Sequence, residues 1–399
     1  MKKLIVAFLL FLALMAGGAL YLPKGRSLPV IWLWQVGGDL VGNNRYAWKE
    51  SRLPRDLSAL SLDDLALLRY GEGVDWAGRG TAVQGFDPAG WIEVGKDPGL
   101  GVRELHRRGI TGSSVSVAVI DKPIDPGHRE LDRRIEYHLV RTRSARGYTY
   151  RYHYHGLACA TLLAGATCGV APGARLYYFA IPDESSEYAV ALANHILAVE
   201  RMLEINAALP AEEKIRVVSI SHNVAETRDA QAVARWDSVV NRARESGIAV
   251  VYSDLKTTHS VFTWGGCPPY LDRANAANYR YARNAGTQVK GYKRKIILPG
   301  DFRTFGNNRG GYSYTGNGGW SWALPYFAGL ATLGWSVDPS LTMDDIYQLV
   351  QQTRYVTDHG IQVVNPVGFI EAVEHRPGRQ LFDSGRALHQ EPSAIEEQR

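Results

Sequence analysis

Cysteine is scarce in this chain: three residues in 399, Cys159, Cys168 and Cys267. Three thiols build no disulfide framework and leave at least one unpaired. None stands at a metal-ligand spacing. Cys159 and Cys168 read as small buried residues, with a bridge between them the alternative in an oxidising compartment. Charge is thin as well. Forty-five Lys and Arg face 40 Asp and Glu, for a formal net charge of +5. The basic residues are not gathered into a stripe, which argues against a nucleic-acid partner. There is no internal repeat and no motif for an organic cofactor. The acidic stretch PDESSE, Pro182 to Glu187, fits no calcium-ligand loop. A structural calcium ion therefore has no motif behind it, and no metal site is expected.

Only one long hydrophobic run is present. Lys2 and Lys3 precede Leu4 to Leu22, and Pro23, Lys24 and Arg26 follow. Such a run is long enough to span a bilayer at roughly 20 residues, and it also fits a secretory signal with small residues at Gly17–Ala19. Residues 1–26 are thus read as a signal peptide or membrane anchor. Either places the remainder outside the cytoplasm, secreted or tethered to the membrane by that segment if it stays uncleaved. No cysteine lies near the run to carry a lipid.

Residues 27–97 form an N-terminal extension or propeptide whose pattern is hard to read, apart from an amphipathic helix expected over Leu57–Tyr70. From residue 98 the pattern changes. Short β-branched runs at Ser114–Asp121, Arg175–Ile181, Arg216–Ser221, Gly247–Ser253 and Lys295–Gly300 alternate with helical patterns, among them Glu187 to about Asn206 and Asp229–Ser246. Strands that are apolar on both faces, alternating with helices, predict an α/β fold. Its mostly parallel central sheet would carry helices on both faces, making three layers over residues 98–375. The tail, 376–399, is polar and expected to be mobile.

In such a sheet ligands gather past the carboxyl ends of strands. That rule singles out Asp121, Ser221 and Asp254, together with Ser321 at a helix start. Asp121, His155 and Ser321 supply the three residue types of a catalytic triad. A serine needs an imidazole to take its proton, and the imidazole needs an acid to fix its tautomer. The surrounding words resemble those of the subtilisin-like serine peptidases, the subtilases. Residues 101–131 look like that family's aspartate motif. Residues 155–181 look like its histidine helix with the following Gly-Val-Ala-Pro-Gly-Ala turn. Residues 318–333, GGWSWALPYFAGLATL, look like its serine motif, and residues 359–373 like its closing segment. The resemblance implies an extracytoplasmic endopeptidase acting on peptide or protein substrates, with Asp121, His155 and Ser321 catalytic.

The flanking words depart from the family's. Asp121-Lys122-Pro123 stands where Asp-Thr/Ser-Gly is usual, and proline removes an N–H that could hold the carboxylate. The pair after His155-Gly156 is not Thr-His. Ser221-His222-Asn223 stands where Ser-Leu-Gly lines the first substrate subsite. The loop Val250–Thr258 has no asparagine to donate to an oxyanion. Asp254 is the candidate in its place if protonated, since a carboxylate cannot donate; with the alignment shifted by one, Leu255 takes that place. His153 reads as a packed or solvated neighbour. The alternative to an active peptidase is a catalytically weak or inactive subtilase-like protein that binds peptides or a partner protein at the cell surface.

Overall fold

The computed structural model describes residues 20–22, 26–28, 53, 56–80, 82–131, 135–140, 152–182, 188–221, 229–254 and 258–379. The strands in chain order are β1 (Leu20–Leu22), β2 (Arg26–Leu28), β3 (Arg69–Gly71), β4 (Ser116–Asp121), β5 (Ile135–Leu139), β6 (Arg175–Ala180), β7 (Ile215–Ile220), β8 (Ala249–Tyr252), β9 (Phe262–Gly266), β10 (Arg280–Tyr281), β11 (Ile296–Pro299), β12 (Arg303–Gly306), β13 (Tyr312–Thr315), β14 (Tyr355–Val356) and β15 (Gln362–Val363).

A five-stranded sheet of order β5-β6-β4-β7-β8 is parallel throughout. It is covered on both faces, as its uninterrupted apolar strands require. Alternation along β4 divides the layers. Val117 and Val119 pack with the Trp320–Val337 helix, while Ala118 and Ile120 pack under the helices Tyr188–Ala208 and Ala230–Glu245. The expected α/β architecture is therefore the observed one, with one difference. The run at Lys295–Gly300 joins a second five-stranded sheet, β10-β9-β11-β15-β14, where β11 lies parallel to β9. Apolar strand runs do not encode which sheet a strand enters.

The extension also differs from the reading of its sequence. Of the stretch Leu57–Tyr70 only Leu62–Ala66 is helical, started by a Ser61 capping box, and a second helix, Pro88–Lys96, follows later in the extension. Between the two helices the chain becomes β3, which pairs antiparallel with β13, Tyr70 opposite Tyr314. Tyr70 and Leu68 are fully buried, and that burial overrides the helical periodicity. Leu65, Trp91, Tyr70, Phe302 and Tyr314 share one cluster, so residues 56–97 and the β12–β13 hairpin have a common core. The tail is tied at its start, because Arg376 reaches Asp338 and Asp345 at 3.1 Å each. Residues 380–399 lie outside the described residues. Among the described residues no helix is long and apolar enough to cross a membrane. The run Leu4–Leu22 lies outside them except for its last three residues.

Leu65→Ala removes a side chain with no exposure from the shared cluster. The expected cost is about 2–5 kcal/mol, read as an earlier single transition in urea unfolding of the whole chain. An unchanged midpoint would mean that the extension shares no core with the rest.

Candidate functional site

Asp121 ends β4 and is buried, 5% exposed. His155 is the second residue of the helix Tyr154–Ala164. Its Nδ1 lies 3.0 Å and 2.9 Å from the two Asp121 carboxylate oxygens. His153 caps that helix, its Nδ1 accepting the His155 N–H at 3.2 Å, so this neighbour has a definite structural role. The Lys122 N–H donates to Asp121 Oδ1 at 2.7 Å. The carboxylate thus keeps a backbone donor although Pro123 has none to give. The Pro123 carbonyl instead accepts the His153 N–H. Burial alone would raise the Asp121 carboxyl. The facing His155, by charge and hydrogen bond, and the Lys122 N–H outweigh it and hold the group at about 2.

Ser321 is the second residue of the helix Trp320–Val337. The two tryptophans around it have different partners. Trp322 meets the His155 ring edge-on at 5.4 Å and Phe305 at 5.4 Å. Trp320 stacks on His259 at 4.2 Å and leans on Trp264 at 5.4 Å. The serine is held between two aromatic clamps. Among the described residues Ser321 Oγ makes no hydrogen bond to His155.

The helix start is shaped by glycine and by a buried acid. Gly319 has φ +78, which an L side chain rarely adopts, and a Cβ on Gly318 would collide with the Gly300 carbonyl. Asp301, 4% exposed, accepts the Gly318 N–H at 2.8 Å and the Gly319 N–H at 3.3 Å. Burial pushes its carboxyl up to about 6, against the pull of those two N–H groups and Arg280. Pro325, four residues beyond Ser321, has no N–H for the Ser321 carbonyl. That carbonyl instead accepts the Ser221 hydroxyl at 3.0 Å, and the Cys159 thiol lies 3.4 Å away.

The remaining expected residues are less gathered. Ser221 is buried and its hydroxyl is committed to the Ser321 carbonyl of the Trp320–Val337 helix. Asp254 sits in a tight turn past β8, its N–H donating to Tyr252 O and its carbonyl accepting from the His259 N–H, both at 2.8 Å. His222, Asn223 and Leu255 lie outside the described residues. All three cysteines are free and buried, so Cys159 and Cys168 form no bridge. Asp121, His155 and Cys159 are the one group among the described residues whose ligand atoms cluster as a metal set would, within 4.8 Å. Burial and the Asp121 charge push the Cys159 thiol well up, which opposes the thiolate a metal would need.

Sequence reasoning missed Asp301, His259 and Cys159 as neighbours of the site. Asp301 follows Pro299-Gly300 at the end of β11, so the strand-end rule that found Asp121 would have found it. Nothing in the spacing of His259 marks it. Beside the histidine helix a cavity of about 440 Å³ is lined by Arg69, Tyr152, Tyr154, Phe305 and Arg309.

Two substitutions test this framework. Ser221→Ala deprives the half-buried Ser321 carbonyl of its hydroxyl donor and is expected to cost about 1 kcal/mol in urea unfolding; no loss would mean that water replaces it. Asp301 has a folded value above its ordinary one. Its stabilising share is therefore complete below about pH 4 and is lost as pH rises through about 6. Asp301→Asn, whose amide oxygen still accepts both N–H groups, is expected to be more stable than the parent above pH 6, by on the order of 2 kcal/mol, and equal to it near pH 4. A constant difference at both pH values would refute the buried-acid assignment.

With the geometry described, the chain can be set beside known proteins. Residues 112–254 match the subtilase family. Subtilisin of Bacillus pumilus is 26% identical over 261 residues, covering 62% of this chain and 86% of that protein. Subtilisin E of Bacillus subtilis is 26% identical over 261 residues, covering 62% of each, so the chain spans less than two thirds of that relative's length. A solved structure described under the structural basis of subtilase cytotoxin SubAB assembly superposes with a TM-score of 0.50 at 16% identity, over 71% of this chain and 96% of that one; this likeness concerns the fold alone. Over residues 112–254 and in the order of its motifs, the chain is thus similar to the subtilases, as a divergent, subtilase-like relative.

Proposed function

We propose that the chain is an extracytoplasmic serine endopeptidase in which Asp121, His155 and Ser321 act as a triad. The observation that carries this reading is the Asp121–His155 contact at 2.9 Å, with Trp322, the residue after Ser321, against the imidazole. Asp121 holds the proton on Nδ1 and leaves Nε2 as the base. Nε2 takes the Ser321 proton as Oγ adds to the scissile carbonyl. It then gives that proton to the leaving amine, and water releases the acyl group by the same route. In the free enzyme Oγ does not bond Nε2; such contacts commonly tighten in the substrate complex. The cavity beside Tyr154 lies next to the histidine helix and has the lining of a peptide side-chain pocket.

The proposed oxyanion donors are the free N–H groups at the start of the serine helix and, on the β8 side, Asp254 in its protonated form. Asp254 lies two residues past β8, where the His259 N–H closes the turn on its carbonyl. The absence of an asparagine from Val250–Thr258 favours the competing reading, a feebly active subtilase-like protein that binds peptides.

Labelling of the full chain with a fluorophosphonate at about pH 4 and about pH 7.5 separates the two readings. The expected result is adduct on Ser321, absent from Ser321→Ala. No adduct on folded protein at either pH would sink the triad. Asp254→Asn is expected to raise the neutral-pH labelling rate by about 10²–10³. An unchanged rate would remove Asp254 from the oxyanion site.

A further inference from the structure

Two arginines away from the triad are buried without a counter-charge. Arg303, the first residue of β12, has no exposure, and Arg273, between β9 and β10, is 5% exposed. Each guanidinium group donates to backbone carbonyls, and Arg273 bonds the carbonyl of Phe302, the residue before Arg303. Arg273 Nη1 donates to the carbonyls of Phe302 at 2.9 Å and Cys267 at 3.4 Å. Arg303 Nη2 donates to the Cys168 carbonyl at 2.9 Å. Four further nitrogens, Nε and Nη2 of Arg273 and Nε and Nη1 of Arg303, are buried with no partner. The Tyr326 hydroxyl and Thr304 Oγ1 are also unpartnered, and the Arg303 guanidinium lies 5.8 Å over the Tyr326 ring.

Among the described residues neither guanidinium has a carboxylate within ion-pair distance. Asp97 acts on Arg303 only at a distance, and its Oδ1 accepts the Gly99 N–H. Arg280, on β10, pairs with Asp63 instead. Buried ionised groups persist when paired and hydrogen-bonded, and arginine does not escape by losing its proton. Burial, with Arg273 adding to it, pulls Arg303 down to about 10, which leaves it charged at any physiological pH. Water could satisfy the donors but would leave two like charges uncompensated. A small anion answers both needs.

We propose that Arg273 and Arg303 form an internal binding site for one small monovalent inorganic anion, of the size and charge of chloride, where the N-terminal extension, the β12–β13 hairpin and the serine helix meet. The anion joins three parts of the chain. Phe302 and Tyr314 belong to the core shared with the extension, and Tyr326 lies on the helix that carries Ser321. It is a structural ligand, and the proposal stands whether or not the triad is active.

The test uses the full chain. Urea unfolding is followed at fixed ionic strength while sodium chloride replaces sodium gluconate, and crystals soaked in sodium bromide are examined for anomalous scattering. The expected results are a bromide peak between the two guanidinium groups and an unfolding equilibrium that shifts tenfold for each tenfold rise in chloride above the dissociation constant. Arg303→Met, close in length and without charge, is expected to abolish the chloride dependence. No bromide peak together with equal stability in chloride and gluconate would overturn the proposal and leave water as the partner of these donors. The bromide experiment needs no variant, so a misfolded Arg303→Met protein would not blunt it.

Discussion

The carbonyl of Ser321 is the point on which the site's geometry depends. Pro325 leaves it without a helical partner, and a carbonyl partly shielded from water gains by finding another donor. Ser221, one residue past β7, supplies a hydroxyl, and Cys159, on the histidine helix, stands close enough to add a thiol. One missing N–H therefore draws together the strand end, the histidine helix and the serine helix. Ser221 and Cys159 lie 100 and 162 residues from Ser321 along the chain. The same helix start is held from the other side by Asp301 on the two glycine N–H groups. The backbone around Ser321 is fixed by acceptors and donors from three different segments.

The aromatic residues complete this frame laterally. Trp322 occupies the space against the imidazole and Trp320 the space against His259 and Trp264. Their partners Phe305 and Trp264 are aromatic too, so the packing on both sides of Ser321 is aromatic throughout.

Much of this was legible before any coordinates. Runs such as Val115–Ile120 are apolar on both faces because the sheet is covered on both, and a doubly buried strand leaves a plain mark in sequence. Asp121 and His155 were legible because each sits at an element boundary with a local motif. The extension was not. Its Leu57–Tyr70 stretch has helical spacing, but Leu68 and Tyr70 gain more by burying against Tyr314 than by another helical turn, and that partner lies far along the chain. Asp301 and the arginine pair escaped for a related reason. Each is an ordinary polar residue in sequence, and only the fold reveals that it is buried.

The pairing of β3 with β13 also sets an order of events. The two strands are separated by most of the chain, and β13 emerges late in synthesis. Until it does, the apolar face of the extension has nothing to close on, and its core cannot form. Long-range pairing of this kind slows folding. An early strand that waits for one of the last leaves the apolar face of the extension open to chaperones and proteases until β13 has been made.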